Sequence, residues 1–165
     1  MVFSNELFDA QPLRRFVRRD GGWRELGVAL GTDDSLGEIE LAVADESWLP
    51  ADAPDGYVFD APRAAADLAT VIASQPWTGL FVAFDYGKTC AGLATETPAG
   101  TARAYFKHTQ SNDLLARPGE QDLTGHVCWD WLEQALADNG FPHPRVESQE
   151  AFFIHYAGGF LARTM

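Results

Sequence analysis

The sequence lacks the long apolar segments of membrane proteins and the cysteine framework of small secreted proteins. Its longest apolar run, residues 79–84, is far shorter than the roughly 20 residues that span a bilayer, and no secretory signal is recognisable. The two cysteines, Cys90 and Cys128, stand 38 positions apart and match neither a disulfide framework nor a zinc knuckle. We therefore predict a cytoplasmic protein with reduced thiols and no membrane partner.

Basic residues are also scarce: 12 Lys and Arg oppose 24 Asp and Glu, which gives a net charge of −12. Because nucleic acids and anionic membranes attract basic surfaces, this balance argues against both as partners. The charges are unevenly placed. Five arginines lie between residues 14 and 24, and nine acids without any Lys or Arg lie between residues 33 and 62. Two interpretations stay open: a solvated surface, or an acidic surface that recognises a basic protein.

Several catalytic motifs are missing. The chain contains no G-x-G-x-x-G, no phosphate-binding P-loop and no G-x-S-x-G nucleophile turn. His126 and Cys128 could each bind a metal, but a metal site needs three or four ligands and no further ligand stands near them in sequence. The pattern therefore predicts no metal, and a packed thiol at Cys128 rather than a catalytic cysteine.

The apolar patterns that are present predict a single α/β domain. Two strand-like runs, residues 13–19 and 23–30, flank Asp20-Gly21-Gly22 and predict a β-hairpin with its arginines on the solvent face. Alternation of apolar and polar residues predicts a half-exposed strand over residues 38–43. Three prolines among acids predict a surface excursion over residues 45–62.

The rest of the chain alternates between helical and strand-like patterns. Apolar residues at helical spacing mark two helices, and an unbroken apolar run marks a central parallel strand. We predict a helix over residues 64–74 that buries Leu68, Val71 and Ile72, followed by a strand over residues 79–84 that is buried on both faces. A second helix is predicted over residues 130–139, begun by a capping box of Asp130 and Glu133. The remaining predicted elements are a loop over 88–101, a short strand over 101–108, a loop over 111–122 and a strand over 145–156.

Polar side chains follow two apolar strands at the point where each strand ends. Asn5 and Glu6, with Asp9 just beyond, come after the short apolar start of the chain, and Asp85-Tyr86 follow residues 79–84. Ligands of open α/β sheets bind outside the carboxyl ends of strands, and if these two strands are neighbours their polar ends converge at one edge of the sheet. Carboxylates there could hold an amine or a guanidinium through charge-assisted hydrogen bonds. The alternative is that Asp85 caps a turn and Asn5 serves its own loop.

A series of motifs runs in order along nearly the whole chain. They are Asn5–Ala10 with Pro12 and Arg14-Arg15-Phe16, Asp85-Tyr86-Gly87, Gly100-Thr101 with Arg103-Ala104-Tyr105 and His108, Pro118–Thr124 with His126-Val127, and Ser148-Gln149 with Phe152. This series resembles the MidA-like class I methyltransferases. The resemblance implies an α/β fold with a partial Rossmann-like sheet, S-adenosylmethionine as cofactor and a protein substrate with an accessible arginine, because the family includes a mitochondrial arginine methyltransferase.

The resemblance also implies roles for individual segments and residues. Residues 1–10 and 79–87 would form central strands, residues 11–62 an inserted hairpin and acidic segment, and residues 101–165 late strands, cover loops and a helix. Catalysis would fall to Glu6, Asn5 and Asp9, with Glu6 orienting the guanidinium for in-line transfer. The substrate-binding residues would be Asp85, Tyr86, His108, Gln121, Asp122, Thr124 and His126.

The sequence departs from the family pattern in one important respect. Family members carry a glycine-rich cofactor loop and an acidic ribose-binding position before the strand that ends in Asn5-Glu6, and neither is present here. We therefore expect a fragment that lacks the cofactor side and is inactive alone. The alternatives are a non-catalytic protein-binding module, or one half of a split methyltransferase whose partner is the missing amino-terminal half.

Overall fold

The structure, a computed structural model, describes residues 1–141 and 144–164. It has an α/β fold whose small sheets contain both parallel and antiparallel pairs. The strands are β1 (Val2–Asn5), β2 (Arg14–Arg19), β3 (Gly22–Leu30), β4 (Leu36–Ala42), β5 (Val58–Ala61), β6 (Phe81–Phe84), β7 (Gly87–Lys88), β8 (Arg103–Phe106), β9 (Thr109–Ser111), β10 (Asp122–Thr124) and β11 (Val127–Cys128), and the helices are α1 (Arg63–Ala73), α2 (Cys90–Thr95), α3 (Trp129–Asp138) and α4 (Gln149–Thr164).

The predicted hairpin is confirmed as part of a four-stranded antiparallel sheet in the order β4-β3-β2-β5. Asp20 and Gly21 form its two-residue turn with φ angles of 50° and 76°. Two positive φ angles are what a type I′ turn requires, and an Asp-Gly pair adopts them at low cost. The prediction of a surface segment over residues 45–62 is wrong at its end, because Val58–Ala61 forms a strand that pairs with β2 and buries Phe59.

The arginines of β2 do not share one solvent face, which corrects the prediction. They occur in adjacent pairs, so successive side chains point to opposite faces of the sheet. All four form ion pairs: Arg14 with Glu25 at 2.6 Å, Arg15 with Asp60 at 2.9 Å, Arg18 with Glu46 at 3.9 Å and Arg19 with Glu40 at 3.0 Å.

The acids of residues 33–62 are mostly engaged within the chain. Seven of the nine accept hydrogen bonds or pair with arginines of the same sheet and its turns. This arrangement favours the solvated, internally paired surface over an acidic docking surface. Strand β4, predicted to be half-exposed, has every residue exposed, because it is the outer strand of the sheet.

Strands β1 and β6 are parallel neighbours, with Val2 opposite Phe81 and Asn5 opposite Phe84. Their polar ends therefore meet, as the sequence led us to expect. The prediction that β6 is buried on both faces is wrong, since all four of its residues are only partly buried. Strand β6 pairs with β1 alone among the described residues, and its exposed side lies next to α4 through Phe84 and Phe152, whose rings are 5.1 Å apart.

Helix α1 forms where predicted, but its buried stripe is Ala65, Ala69 and Ala73, while Val71 is 58% exposed. Leu68 and Ile72 are partly buried and pack against the core beside these alanines, so the prediction is wrong for Val71. The predicted capping box of α3 does not form. The carboxylate of Asp130 instead accepts a hydrogen bond from the Cys90 N–H at 2.7 Å, which ties α3 to α2.

Two predictions fail in the second half of the chain. Residues 88–101, predicted as loop, contain α2, whose first turn is capped by the Thr89 hydroxyl accepting from the Gly92 N–H at 3.1 Å. Residues 145–156, predicted as a strand, instead lead into α4, capped by Ser148. No helix of the described chain is both long and apolar enough to cross a membrane.

Two apolar clusters form the core. One lies under the hairpin sheet and contains Trp23, Phe59, Leu93 and Cys128. Burial raises the pKa of the Cys128 thiol to about 12, which fits the predicted packed thiol. The other cluster lies between α1, α3 and the β1–β6 pair and is centred on Phe8, which is 1% exposed.

Candidate functional site

The loop after β1 is held by a single carboxylate. Asp85 accepts hydrogen bonds from the N–H groups of Phe8 at 2.9 Å, Asp9 at 3.4 Å and Tyr86 at 2.9 Å. Both of its oxygens are thus engaged, and the geometry favours the turn-capping alternative for Asp85 over direct ligand binding. Asp85 positions the carboxylates that precede and follow Phe8, namely Glu6 and Asp9.

Glu6 stands at the exposed end of this loop. Its backbone φ is 51°, an unusual value for a residue with a side chain. The Tyr86 hydroxyl donates to Glu6 Oε1 at 3.2 Å, and the Glu6 carboxylate raises the pKa of Tyr86. This contact links the ends of β1 and β6 and directs Glu6 toward the space above them.

Asp9 is the buried member of the group, 6% exposed. Among the described residues, no hydrogen-bond donor reaches its Oδ1. Burial, followed by the charges of Asp85 and Glu6, raises the pKa of Asp9 to about 6. A buried carboxylate oxygen without a donor is costly, so this atom is a candidate ligand for a cation.

A cavity of about 1030 Å³ brings most of the predicted site residues together. Eight of the ten predicted residues line it: Glu6, Asp9, Tyr86, His108, Gln121, Asp122, Thr124 and His126. Asn5 and Asp85 lie outside it and line a neighbouring cavity of about 1210 Å³ beside β6.

The far wall of the cavity is a ribbon of three short strands in the order β10-β8-β9. Arg103 lies opposite Thr124 and Tyr105 opposite Asp122 in the antiparallel register. Ala104 between them is fully buried, so Arg103 and Tyr105 point the other way, into the cavity. Arg103, Tyr105 and Lys107 were not predicted as site residues, although the alternation of side chains within the predicted strand was an available signal for Arg103 and Tyr105.

His126 connects the far wall to the core. Its backbone N–H donates to the Thr101 hydroxyl at 3.1 Å, and its Nδ1 is buried without a partner among the described residues. Burial, followed by the charges of Lys88 and Arg103, lowers the pKa of His126. The imidazole is therefore neutral near pH 7, with a nitrogen available to hydrogen-bond a ligand.

A buried carboxylate fixes the start of the far wall. Asp60, 2% exposed, accepts hydrogen bonds from the N–H groups of Thr101 at 2.5 Å and Ala102 at 2.7 Å and pairs with Arg15 at 2.9 Å. Gly100 has a φ of 72°, and a Cβ there would lie 2.5 Å from Asp60 Oδ2, so this turn requires glycine. The hairpin sheet thus anchors the wall of the cavity.

The described strand-to-helix junctions can be compared with the glycine-rich turn expected of a cofactor site. The strand-to-helix junctions before α1, α2 and α3 are Pro62, Thr89 and Cys128, and none is a glycine-rich turn. Within residues 1–141 and 144–164, no three His, Cys, Asp or Glu side chains cluster as metal ligands would. What the cavity offers is a set of carboxylates suited to a cationic group.

Asp9 gives the fold a defined pH dependence. Its pKa is about 6 in the folded protein against 3.8 unfolded, so between these values the folded state binds more protons and stability falls as pH rises. We expect Asp9→Asn to remove this pH dependence, because the amide does not titrate. The free energy of unfolding of the variant, relative to that of the wild type, should therefore increase from pH 4 to pH 6.5. Urea denaturation at several pH values measures this difference, and a pH-independent difference would contradict the assignment.

Comparisons with known proteins identify the family of the chain. Residues 1–145 match the family described as putative S-adenosyl-L-methionine-dependent methyltransferase. The chain is 31% identical over 147 residues to the mitochondrial protein arginine methyltransferase NDUFAF7 of Danio rerio, covering 84% of this chain and 32% of that protein. It is 29% identical over 138 residues to NDUFAF7 of Rattus norvegicus, covering 79% and 30%.

A solved structure shares the fold. A candidate methyltransferase from Burkholderia thailandensis, bound to S-adenosyl-homocysteine, superposes with a TM-score of 0.74 at 27% identity, over 84% of this chain and 37% of that one. The chain thus spans about a third of the length of these relatives. Since the family model covers most of its residues, the chain belongs to the S-adenosylmethionine-dependent methyltransferase family.

Proposed function

We propose that this chain forms the acceptor side of a protein-arginine methyltransferase site, in which Glu6 and Asp9 hold the guanidinium of a substrate arginine. The observation that carries the proposal is the cavity in which an exposed and a buried carboxylate face the same space. The names of the NDUFAF7 relatives support arginine as the acceptor.

The chemistry of the acceptor fits these two carboxylates. A guanidinium offers five N–H donors in a planar fork, which matches carboxylate oxygens in bidentate geometry. Glu6, oriented by Tyr86, would fix the plane of the guanidinium, and Asp9 Oδ1, which lacks a donor among the described residues, would receive a second N–H. Methyl transfer then depends mainly on holding the acceptor nitrogen in line with the methyl group. In the bound complex, S-adenosylmethionine would supply that methyl group.

We propose that the parallel β1–β6 pair represents later strands of a class I methyltransferase sheet, into which the hairpin sheet of residues 11–62 is inserted. The parallel register supports this correspondence. The likeness to the Burkholderia structure supports it as well.

Glu6→Gln tests the acceptor role. We expect this variant to bind an arginine peptide roughly 10- to 100-fold more weakly than wild type, because a charge-assisted hydrogen bond is lost. Fluorescence anisotropy with a labelled arginine peptide and the same peptide carrying citrulline measures the effect. The matched control is Asp67→Asn on the exposed face of α1, outside the cavity. Equal affinities of Glu6→Gln and wild type would refute the proposal.

A second function is favoured by the absence of a glycine-rich turn at the three described strand-to-helix junctions. In it, the chain binds arginine-containing protein without transferring a methyl group by itself, and the cofactor turn belongs to another chain. Calorimetry with S-adenosylmethionine separates the two. Negligible cofactor binding together with tight peptide binding supports this second function, whereas tight cofactor binding and methyl transfer by the chain alone would exclude it.

A further inference from the structure

The cavity is bipolar, with carboxylates on one wall and cations on the other. Glu6 and Asp9 belong to the wall built by the β1 and β6 ends, whereas Arg103 and Lys107 belong to the ribbon wall. Asp122 also lies on the ribbon wall, opposite Tyr105, on the β10 side. A ligand that satisfies both walls must carry a positive and a negative group.

The two cations lie in a chain in which acids outnumber bases by two to one, and they are among the six basic residues without an ion pair to a described acid. Six of the twelve basic residues form ion pairs with acids of the chain: Arg14, Arg15, Arg18, Arg19, Lys88 and Arg145. Arg103 and Lys107 form none with any described acid, although the cavity they line contains carboxylates.

Both cations line the cavity, and their local contacts leave N–H donors unused. One guanidinium nitrogen of Arg103, Nη1, donates hydrogen bonds to the carbonyl oxygens of Ala102 at 2.7 Å and Gly100 at 3.4 Å. This contact fixes the planar fork and leaves its other N–H groups for a ligand. Lys107 lies at the tight β8–β9 turn, where both it and His108 have positive φ angles, and its amine sits 5.1 Å from the Phe106 ring.

We propose that Arg103 and Lys107 bind a carboxylate of the substrate protein close in sequence to the target arginine, so that the site selects arginines with an acidic neighbour. This inference rests on the proposed function, since it assumes that the opposite wall holds a guanidinium. In an extended peptide, residues two positions apart point the same way and lie about 7 Å apart. An acid two positions from the arginine is therefore the spacing used in the test.

A peptide series tests the inference on the full 165-residue chain. One peptide has arginine with glutamate two positions away, the second has glutamine in place of the glutamate, and the third has citrulline in place of the arginine. We expect the glutamate peptide to bind at least tenfold more tightly than the glutamine peptide. In the double variant Arg103→Gln, Lys107→Gln this preference should fall to within about twofold, with the affinity for the glutamine peptide little changed.

The control variant is Arg24→Gln, an exposed arginine of β3 outside the cavity, which should keep the full preference. If Arg103→Gln unfolds the ribbon, Lys107→Gln alone carries the test, because its side chain is on an exposed turn. Equal binding of the glutamate and glutamine peptides by wild type would overturn the inference while leaving the proposed function intact.

Two further outcomes are informative. Equal binding of the arginine and citrulline peptides would overturn the proposed function and, with it, this inference. S-adenosylmethionine also carries both a positive and a negative group, so calorimetry measures whether the two cations bind it instead. If the Arg103 and Lys107 substitutions weaken cofactor binding and leave the preference for the glutamate peptide unchanged, the two cations serve the cofactor carboxylate and the inference is wrong.

Discussion

Asp60→Ala is expected to destabilise the protein by about 3–5 kcal/mol, the usual cost of removing one partner of a buried ion pair. The substitution leaves the buried N–H groups of Thr101 and Ala102 without their acceptor and removes the nearer of the two carboxylates that pair with Arg15, so that only Glu38 at 3.5 Å remains. Chemical denaturation measures the loss. Because the same N–H groups begin the ribbon wall, the arginine peptide should also bind less tightly.

The matched comparison is Glu40→Ala. Glu40 pairs with Arg19 at 3.0 Å in the same sheet, but both side chains are more than 40% exposed, and exposed pairs contribute less than about 1 kcal/mol. Asp60→Asn, which keeps one acceptor oxygen, should fall between the two alanine variants. Similar losses for Asp60→Ala and Glu40→Ala would show that the buried carboxylate does not anchor the wall.

Phe8→Ala is expected to cost about 3–5 kcal/mol, the range for deleting a fully buried aromatic side chain. Phe8 lies between the two carboxylates of the site and packs against Ala65, Val127 and Leu132. Its N–H is also the shortest contact of the loop to Asp85. Loss of the ring should therefore loosen Glu6 and Asp9 as well, which peptide binding by any folded fraction would reveal.

Phe8→Leu separates packing from backbone effects. It keeps an apolar side chain and the N–H bond to Asp85, so we expect a loss of stability well below that of Phe8→Ala and near-normal affinity for the arginine peptide. Thermal unfolding followed by circular dichroism, together with anisotropy, measures both quantities. A Phe8→Ala variant as stable as wild type would mean that the second core cluster does not hold the loop.

Local signals predicted the parts of the fold that depend on local chemistry. The Asp20-Gly21 turn and helix α1 each follow from a few adjacent residues, and both are confirmed. The convergence of the β1 and β6 ends followed from a general rule for parallel strands and is also confirmed. Eight predicted site residues share one cavity, although their catalytic and binding roles stay predictions.

The failed predictions concern packing between distant segments. An unbroken apolar run does not reveal whether neighbours cover both faces of β6, and the apolar residues of 145–156 fit a helix capped by Ser148 as well as a strand. The structural role of Asp60 was not predicted, and it was counted only as one of the nine acids of residues 33–62. Its partners Thr101 and Ala102 lie more than 40 positions away along the chain. Arg103 is different, because the alternation of side chains along its predicted strand was a local signal that was not used.

The pairing of β1 with β6 joins residues that are far apart along the chain, since Val2 meets Phe81. The hairpin of β2 and β3 closes across only two residues. Distant contacts form after local ones because loop closure costs entropy before it is rewarded by contacts. The hairpin sheet should therefore form early and the carboxylate wall late, so that a chain arrested during folding would keep its turn and lack its cavity.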